Sequence, residues 1–423
     1  MFRIRNLLWD SDPLALHCPG PLHASWYRVR QTIAAFTPQQ SSSASDITFI
    51  TWHGPSRQEK PNGVFEESLA RFGIKPLVLK KPDNWRNIDK LALTAEALES
   101  IDTPYVMGSD SSDTLIFQDP ALLVERFESH FTCDLVYNAV GSRCWPELPE
   151  YIDYQSSLPA AVNAQGRHWF NSGMFFGRTE FCREYFRALS TEKPVPGYSY
   201  SEQAVAMRVW PQWYPRVQLD YQCLLFQWFN ESLDVMRLER PAQSRHESLI
   251  EILRTLGSDL TGAEVGVFDG WTAEVLLRTF PDLRLWLVDA WQPYGGESHM
   301  GKQDRAYFQR AFEETMFWTK FAEDRRFTLR EWSPQAADRF QAASLDFVFI
   351  DANHLYEAVR DDINAWWPKV RPGGALCGHD YAIHRDGEGV WGVQRAVDEF
   401  AKAQGLQPTI LQDGVWCIYR QNN

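Results

Sequence analysis

Two aspartates interrupt an apolar run in the stretch PYVMGSDSSDTLIFQDP, residues 104–120. Asp110 and Asp113 stand where a buried strand would enter a short polar turn and leave through another apolar segment. Carboxylates held together at a strand end can share one divalent cation. The alternative is a solvated turn, because Asp and Ser are common turn residues in any soluble chain.

A glycine turn in the second half of the chain indicates a cofactor site. In EVGVFDGWTAEVLL, Glu264, Gly266 and Gly270 mark a strand, a tight turn and a helix start, and glycine lets the backbone approach a ligand closely. The next strand ends in Asp289, which is placed to accept hydrogen bonds from a ribose diol. Because the dinucleotide fingerprint G-x-G-x-x-G is absent, the pattern favours S-adenosylmethionine, a nucleoside bound without pyrophosphate. The same residues can also be plain scaffold.

The elements that must position these residues are short apolar strands alternating with helical patterns. This alternation predicts an α/β fold with parallel or mixed sheets flanked by helices. The proline and polar run of ERPAQSRH places a domain boundary at about residue 241. We therefore expect an N-terminal extension packed on the first domain (1–45), a first domain (46–240) and a second domain (241–423).

The segment FIDANHLYEAVRDDINAWWPKVRPGGALCGHDY resembles class I S-adenosylmethionine-dependent O-methyltransferases, in particular the metal-dependent group that acts on sugar hydroxyls. The resemblance covers residues 248–400 and implies a Rossmann-like domain. It implies that Asp351 binds Mg²⁺ or another divalent metal, and that His379 and Asp380 complete the site, where the group more usually carries Asp-Asp or Asp-Asn. His354 matches the general-base histidine; its alternative role is a helix-start residue hydrogen-bonded to the loop.

The first half resembles type A (GT-A) glycosyltransferases, most closely the glycosyltransferase domain of procollagen lysyl hydroxylases and related collagen glycosyltransferases. The likeness covers roughly residues 46–230 and includes GSDSSD, VYNAVGSRCWP, WFNSGMFFGR and LDYQCLLFQ in one order. It implies that Asp110 and Asp113 hold Mn²⁺, which would stabilise the departing diphosphate of a UDP-sugar.

The same resemblance implies roles for other residues of the first half. These are Thr51 and Trp52 near the uridine, Trp85 and Lys90 beside the nucleotide sugar, Asn171 and Gly173 on the donor-sugar side, and Glu202 and Gln203 facing the sugar or the acceptor. Each also has an ordinary alternative, such as a core tryptophan or a solvated lysine.

One departure from this family concerns the metal. The collagen enzymes carry a further metal-binding histidine in a His-x-Asn-Gly context after the Phe-Gln strand, and no such motif follows Gln227. Either His246 substitutes from another loop, or fewer protein ligands hold the metal, or transfer is impaired.

Composition narrows the class of partner. The 423 residues carry a formal charge of −13, which argues against nucleic acid or an anionic membrane as the main partner. The cysteines are scattered, the N-terminus lacks a continuous apolar core, and no apolar run reaches the ~18–20 residues of a spanning helix. These features favour a cytoplasmic enzyme, and they leave its oligomeric state open.

The two resemblances together predict a bifunctional enzyme. It would transfer a sugar from a UDP-sugar to a glycan, glycoconjugate or small-molecule acceptor and methylate a hydroxyl, with S-adenosylmethionine as methyl donor. The alternative is a single-activity methyltransferase whose first half is a degenerate glycosyltransferase serving as a glycan-binding module.

Overall fold

The computed structural model separates the chain into two compact units, residues 1–238 and 239–423. Within the described part of the chain, none of the helices combines the length and the apolarity needed to cross a bilayer. The structure describes residues 2–18, 24–36, 42–54, 63–81, 83–141, 144–158, 168–229, 236–294, 302–381, 385–386, 389–390 and 392–421.

The first unit is a mixed α/β structure. Its strands are β1 (Arg3–Asn6), β2 (Ala15–His17), β3 (Ile47–His53), β4 (Leu77–Lys80), β5 (Tyr105–Ser109), β6 (Thr114–Ile116), β7 (Leu135–Val140), β8 (Trp169–Arg178), β9 (Val217–Asp220), β10 (Phe226–Trp228) and β11 (Met236–Glu239), which ends at the boundary. Its helices are α1 (Ala24–Phe36), α2 (Val64–Ala70), α3 (Asp89–Leu98), α4 (Leu122–His130), α5 (Pro149–Ser157), α6 (Thr179–Thr191) and α7 (Glu202–Trp213).

Three sheets organise these strands. The largest has the order β4-β3-β5-β8-β7-β9, with β5 parallel to β3 and antiparallel to β8. Side chains alternate across it, so that Val106 and Met107 of β5 pack into two different apolar clusters on opposite faces. A smaller sheet has the order β10-β2-β6, and β1 pairs with β11. The N-terminal residues are therefore strands of this unit's sheets.

The second unit is also α/β. Its strands are β12 (Thr261–Val265), β13 (Arg284–Val288), β14 (Arg326–Leu329), β15 (Leu345–Ile350), β16 (Val370–Gly378), β17 (Arg385–Asp386), β18 (Gly389–Val390), β19 (Thr409–Ile410) and β20 (Trp416–Tyr419). Its helices are α8 (Ser244–Leu256), α9 (Trp271–Thr279), α10 (Arg305–Trp318), α11 (Ser333–Ala336), α12 (Tyr356–Trp366) and α13 (Val393–Ala403), with short 3-10 turns at Lys320–Ala322, Ala337–Arg339, Trp367–Lys369 and Gln412–Gly414.

The sheet of the second unit is covered by apolar clusters on both faces. Its order is β14-β13-β12-β15-β16-β20-β19, and the five strands from β14 to β16 are parallel. Along β15, Phe347 and Phe349 pack on one face while Val348 and Ile350 pack on the other. The strand order reverses between β12 and β15, so a ligand crevice is expected at the carboxyl ends of these two strands.

Candidate metal and cofactor sites

The carboxyl end of β5 carries the first acidic pair. The Asp110 backbone N–H donates to the Gly173 carbonyl of β8 at 2.9 Å, which fixes the start of the turn. Asp113 directly precedes β6, whose Thr114 pairs with His17 of β2. His17, Asp110 and Asp113 each offer one ligand atom, and these atoms lie within 4.8 Å of one another. The predicted acidic pair is therefore joined by a histidine from the N-terminal region.

A buried lysine connects this pair to the start of α7. Lys90 Nζ lies 2.5 Å from Asp110 Oδ1 and 2.9 Å from Glu202 Oε1. Burial by itself would lower the pKa of Lys90, but the two carboxylates outweigh it and raise that pKa. Burial raises the pKa of Asp110; Lys90 opposes this shift, whereas Asp113 and Glu202 add to it.

The other residues predicted for the donor side form a hydrogen-bonded group around Ser172. The hydroxyl of Ser172 lies 3.2 Å from Glu202 Oε1, and its backbone N–H donates to Gln203 Oε1 at 2.9 Å. The Asn171 carboxamide oxygen accepts from the Gly173 N–H at 3.0 Å. Four of the predicted residues are therefore brought together beside the acidic pair.

Thr51 and Trp52, predicted near the uridine, and Trp85, predicted beside the nucleotide sugar, are placed differently. Thr51 is fully buried and donates its hydroxyl to the Ser109 carbonyl at 2.8 Å. Trp52 is 6% exposed and donates its indole N–H to Thr94, so it lies in the core. Trp85 is half-buried and packs on Gly54, where a Cβ would come within 2.9 Å of its ring.

In the second unit, the predicted metal ligands and the predicted base His354 lie together at the ends of β15 and β16. His354 Nε2 lies 3.1 Å from Asp380 Oδ2 and 3.4 Å from Asp351 Oδ1. His379 Nδ1 lies 3.1 Å from Asp380 Oδ2 and 4.0 Å from Asp351 Oδ1. Asp351, His354 and Asp380 form the compact three-donor group, within 4.8 Å, and His379 flanks it.

Charge in this cluster is distributed between carboxylates and imidazoles. Burial opposes protonation of His354, but the hydrogen bond and charge of Asp351 and the charge of Asp380 raise its pKa. Burial would raise the pKa of Asp380, yet the two histidines lower it below its usual value. Arg245 Nη1 approaches Asp351 Oδ2 at 3.6 Å and adds a further cation.

The glycine turn lies at the strand crossover point. Gly266 has φ +87°, and a Cβ there would come within 2.2 Å of the Asp351 carbonyl oxygen. Gly270 has φ +73°, and a Cβ there would come within 2.8 Å of Thr315, so this glycine has a packing reason of its own. The Asp289 carboxylate accepts from the backbone N–H groups of Val267 and Phe268 at 2.9 and 3.0 Å. Asp289 thus organises the turn predicted to bind the cofactor.

Residues 263–381 match the family model described as a methyltransferase domain. The second unit contains a methyltransferase domain. The prediction of a methyltransferase in the second half of the chain is therefore confirmed at this level, and the sheet with its crossover point is the scaffold of that domain.

Several solved structures are similar to part of the chain. The O-methyltransferase NovP is 16% identical over 42% of this chain and 80% of its own, with a TM-score of 0.32. An O-methyltransferase family protein from Burkholderia thailandensis is 16% identical over 42% of this chain and 56% of its own, with a TM-score of 0.32. The O-methyltransferase TomG from Streptomyces achromogenes, solved with S-adenosylmethionine, is 18% identical over 43% of this chain and 82% of its own, with a TM-score of 0.31. No curated protein matches the sequence.

The methyltransferase domain has features that suit a nucleoside cofactor and a divalent metal. Glu264 is 2% exposed, and its Oε2 has no hydrogen-bond partner among the residues described. Burial raises the pKa of Glu264 well above its usual range, and the charges of Asp351 and Asp289 raise it further. A buried polar atom that lacks a partner leaves a place for a hydrogen-bonding ligand. Carboxylate oxygens and imidazole nitrogens suit Mg²⁺, Mn²⁺ or Zn²⁺.

His17 is the site residue that the sequence did not indicate. His246, the candidate for a missing metal ligand, is a buried helix cap: its Nδ1 accepts from the Gln243 N–H at 2.9 Å, and its Nε2 lies 3.3 Å from the Thr272 hydroxyl. Burial, assisted by Arg245 and other cations, lowers the pKa of His246 to about 3. These contacts belong to the methyltransferase unit, which leaves His17 as the histidine beside Asp113.

Proposed function

We propose that the second unit is an S-adenosylmethionine-dependent and metal-dependent O-methyltransferase that acts on a hydroxyl of a sugar. The observation that carries the proposal is the group formed by Asp351, His354 and Asp380 at the crossover point of a methyltransferase domain. Asp289, Glu264 and the turn at Gly266 would hold the nucleoside, because they surround the end of β12.

Different residues of the chain would bind the metal and accept the proton during methyl transfer. Asp351 and Asp380, with His379, would hold the metal and so position the substrate hydroxyl. His354 would accept the proton that the substrate hydroxyl loses when it is methylated. When bound, the metal lowers the pKa of the hydroxyl and the cofactor supplies an activated methyl group.

Measurements of metal affinity and turnover distinguish the residues that bind the metal from the residue that acts as the base. We expect S-adenosylmethionine to bind the purified chain in calorimetry and its labelled methyl group to reach sugar-bearing small molecules in a reaction that EDTA stops. His354→Asn should keep metal affinity and lose turnover by about 10²–10⁴-fold. Asp351→Asn should lose both metal affinity and turnover.

The matched control is Asp361→Asn, which changes a half-exposed aspartate on α12 paired with Arg360. This variant should bind metal and turn over like the unchanged protein. Undiminished turnover in Asp351→Asn or in EDTA would refute the metal-dependent assignment. If His354→Asn loses metal affinity together with turnover, His354 is a ligand and the base must be sought elsewhere.

A second activity is favoured by the site in the first unit. We infer that this unit is a glycosyltransferase of the GT-A kind, with Mn²⁺ on Asp110 and Asp113 and a UDP-sugar beside Lys90. The supporting observation is the buried link from Asp110 through Lys90 to Glu202, which joins the metal pair to the residues expected to face the sugar.

Manganese-dependent release of UDP from UDP-sugars tests this second activity. Asp113→Ala should abolish UDP release, and Asp110→Ala should abolish UDP-sugar binding without changing S-adenosylmethionine binding. If the first unit binds glycans but neither binds nor cleaves any UDP-sugar, it is a glycan-binding module attached to a methyltransferase.

The two activities would act in sequence on one acceptor. Tethering raises the local concentration of the glycosylated intermediate for the second reaction, provided that both sites can be reached in turn. Competition between a glycosylated and an unglycosylated acceptor tests the order: equal methylation of both would show that the activities are independent.

A further inference from the structure

His17 is held beside the acidic pair by the pairing of β2 with β6. His17 and Thr114 are partners in the antiparallel ladder, and the next residue, Cys18, donates its N–H to the Asp113 carbonyl at 2.8 Å. On its other side β2 runs parallel to β10, with His17 opposite Trp228. The backbone position of His17 is therefore fixed from both edges of its strand.

The imidazole of His17 is directed toward the carboxylates. Its side chain is 2% exposed, and Nε2 lies 3.8 Å from Asp113 Oδ2. A Cβ at Gly173 would come within 2.4 Å of His17 Cε1 and 2.6 Å of Nε2, so the ring occupies the space that a side chain at position 173 would need. Gly173 also accepts the N–H of Asp110, and it therefore brings the histidine and the first aspartate together.

The far side of the ring has a partner that sets its hydrogen bonding. His17 Nδ1 lies 3.1 Å from Asn138 Nδ2, and Asn138 Oδ1 is buried without a hydrogen-bond partner in the described ranges. Amide oxygen and nitrogen exchange places by a half-turn of the carboxamide. With the oxygen toward His17, Nδ1 carries the proton and Nε2 presents a lone pair to the aspartates, as in metal-ligating histidines whose second nitrogen donates to a carbonyl.

The carboxylates themselves lack sufficient donors. Asp113 Oδ1 is buried and has no hydrogen-bond partner among the residues that the structure describes. Asp110 lies near it, and Lys90, which donates to Asp110, also donates to Glu202. A buried acceptor next to further negative charge is unfavourable unless a cation or a donor satisfies it. His17 Nε2 lies 3.8 Å from Asp113 Oδ2, which is too far for a hydrogen bond.

We propose that His17, Asp110 and Asp113 bind one divalent cation, and that the third protein ligand of this site comes from the N-terminal strand β2. The use of the ion in sugar transfer rests on the proposed glycosyltransferase activity, whereas its binding does not. Two carboxylate oxygens and one imidazole nitrogen form a ligand set that suits Mn²⁺. The strand β2 then contributes a ligand to the active site, so its role goes beyond packing.

The experiment follows the cation itself, with Mn²⁺ as the probe and UDP added in a parallel series. The full chain carries Asp351→Asn, His354→Asn and His379→Asn, so that the methyltransferase domain contributes neither imidazole. Electron paramagnetic resonance gives Mn²⁺ affinity, and its pulsed form detects ¹⁴N coupling from a directly bound imidazole. We expect one tight Mn²⁺ with ¹⁴N coupling.

His17→Asn is the diagnostic change, because asparagine keeps a polar atom toward Asn138 and removes Nε2. It should abolish the ¹⁴N coupling and weaken Mn²⁺ binding by at least about tenfold. His130→Asn, which alters the exposed last residue of α4, should change neither quantity. Circular dichroism of each variant checks that the fold is retained.

Each outcome decides the proposal. Mn²⁺ binding that is lost in Asp110→Asn but shows no ¹⁴N coupling would refute the His17 ligand and leave the glycosyltransferase proposal intact. If the ¹⁴N coupling persists in His17→Asn, the assignment of His17 as a ligand is refuted as well. If no Mn²⁺ binds with or without UDP, both the His17 site and the manganese-dependent activity are overturned.

Discussion

Replacing Gly266 by alanine tests whether the glycine turn and the metal ligand form one structural unit. Gly266 has φ +87°, and an added Cβ would lie 2.2 Å from the Asp351 carbonyl oxygen and 2.6 Å from the Ala352 Cα. A left-handed backbone costs a non-glycine residue about 1–2 kcal/mol. Contact with backbone atoms adds about 1–3 kcal/mol of overpacking. We therefore expect Gly266→Ala to lower the free energy of unfolding by about 2–5 kcal/mol.

Gly405→Ala supplies the matched control, because Gly405 has φ +67° and an added Cβ would meet no atom within 4 Å. It should show the conformational cost alone, about 1–2 kcal/mol. Urea denaturation followed by circular dichroism measures both variants, and calorimetry measures metal and S-adenosylmethionine affinity. Gly266→Ala should also weaken both ligands, because relieving the contact moves Asp351. Equal destabilisation of the two variants, or unchanged metal affinity in Gly266→Ala, would refute this reasoning.

Three further predictions concern buried groups. Burial raises the pKa of Asp362 to about 7 from 3.8, so the contribution of Asp362 to stability is complete below about pH 4 and is lost as the pH rises through 7. Asp362→Asn should remove this pH dependence of the unfolding free energy, which is worth at most about 4 kcal/mol. The same pH profile of urea unfolding in the variant and the unchanged protein would contradict this prediction. Glu274→Gln removes the buried negative charge that lies 2.5 Å from Arg240 and 2.9 Å from Arg278, and it should cost about 3–5 kcal/mol in urea denaturation. Asp259→Asn, in an exposed pair, should cost less than about 1 kcal/mol. All seven cysteines are buried, so a thiol reagent should label them only after unfolding, and rapid labelling of the native protein would contradict this.

The proximity of Asp351 and Asp380 can be predicted from the sequence because both residues follow parallel strands. An acid that directly follows a buried apolar strand lies at the carboxyl edge of the sheet, and this rule brings Asp351, at the end of β15, next to Asp380, which follows β16. Asp351 and His354 are three residues apart, so their proximity also follows from the local sequence. Their common approach to Asp380 needed the two strands to be neighbours, which the topology of a doubly wound sheet provides.

The site in the first unit was less predictable for two physical reasons. His17 reaches Asp113 through β2–β6 pairing, a contact between distant parts of the chain for which the local pattern around His17 gives no signal. Thr51 and Trp52 belong to a strand with almost every side chain buried, so neither alternation nor position at a strand end distinguishes a ligand contact from the core. The sequence pattern therefore located the acids but gave no information on side-chain direction.

Both candidate sites place aspartates close together at strand ends, next to a lysine or an arginine. In the first unit Lys90 is shared between Asp110 and Glu202, and in the second Arg245 stands 3.6 Å from Asp351. Like charges in partly buried positions repel strongly, since the effective dielectric constant there is well below that of water. Such clusters are stable when a proton or a metal ion supplies the missing charge. A divalent ion supplies two charges at one point and accepts several oxygen ligands at once, which a proton does not. The repulsion between aspartates that destabilises each site without an ion therefore favours the binding of one.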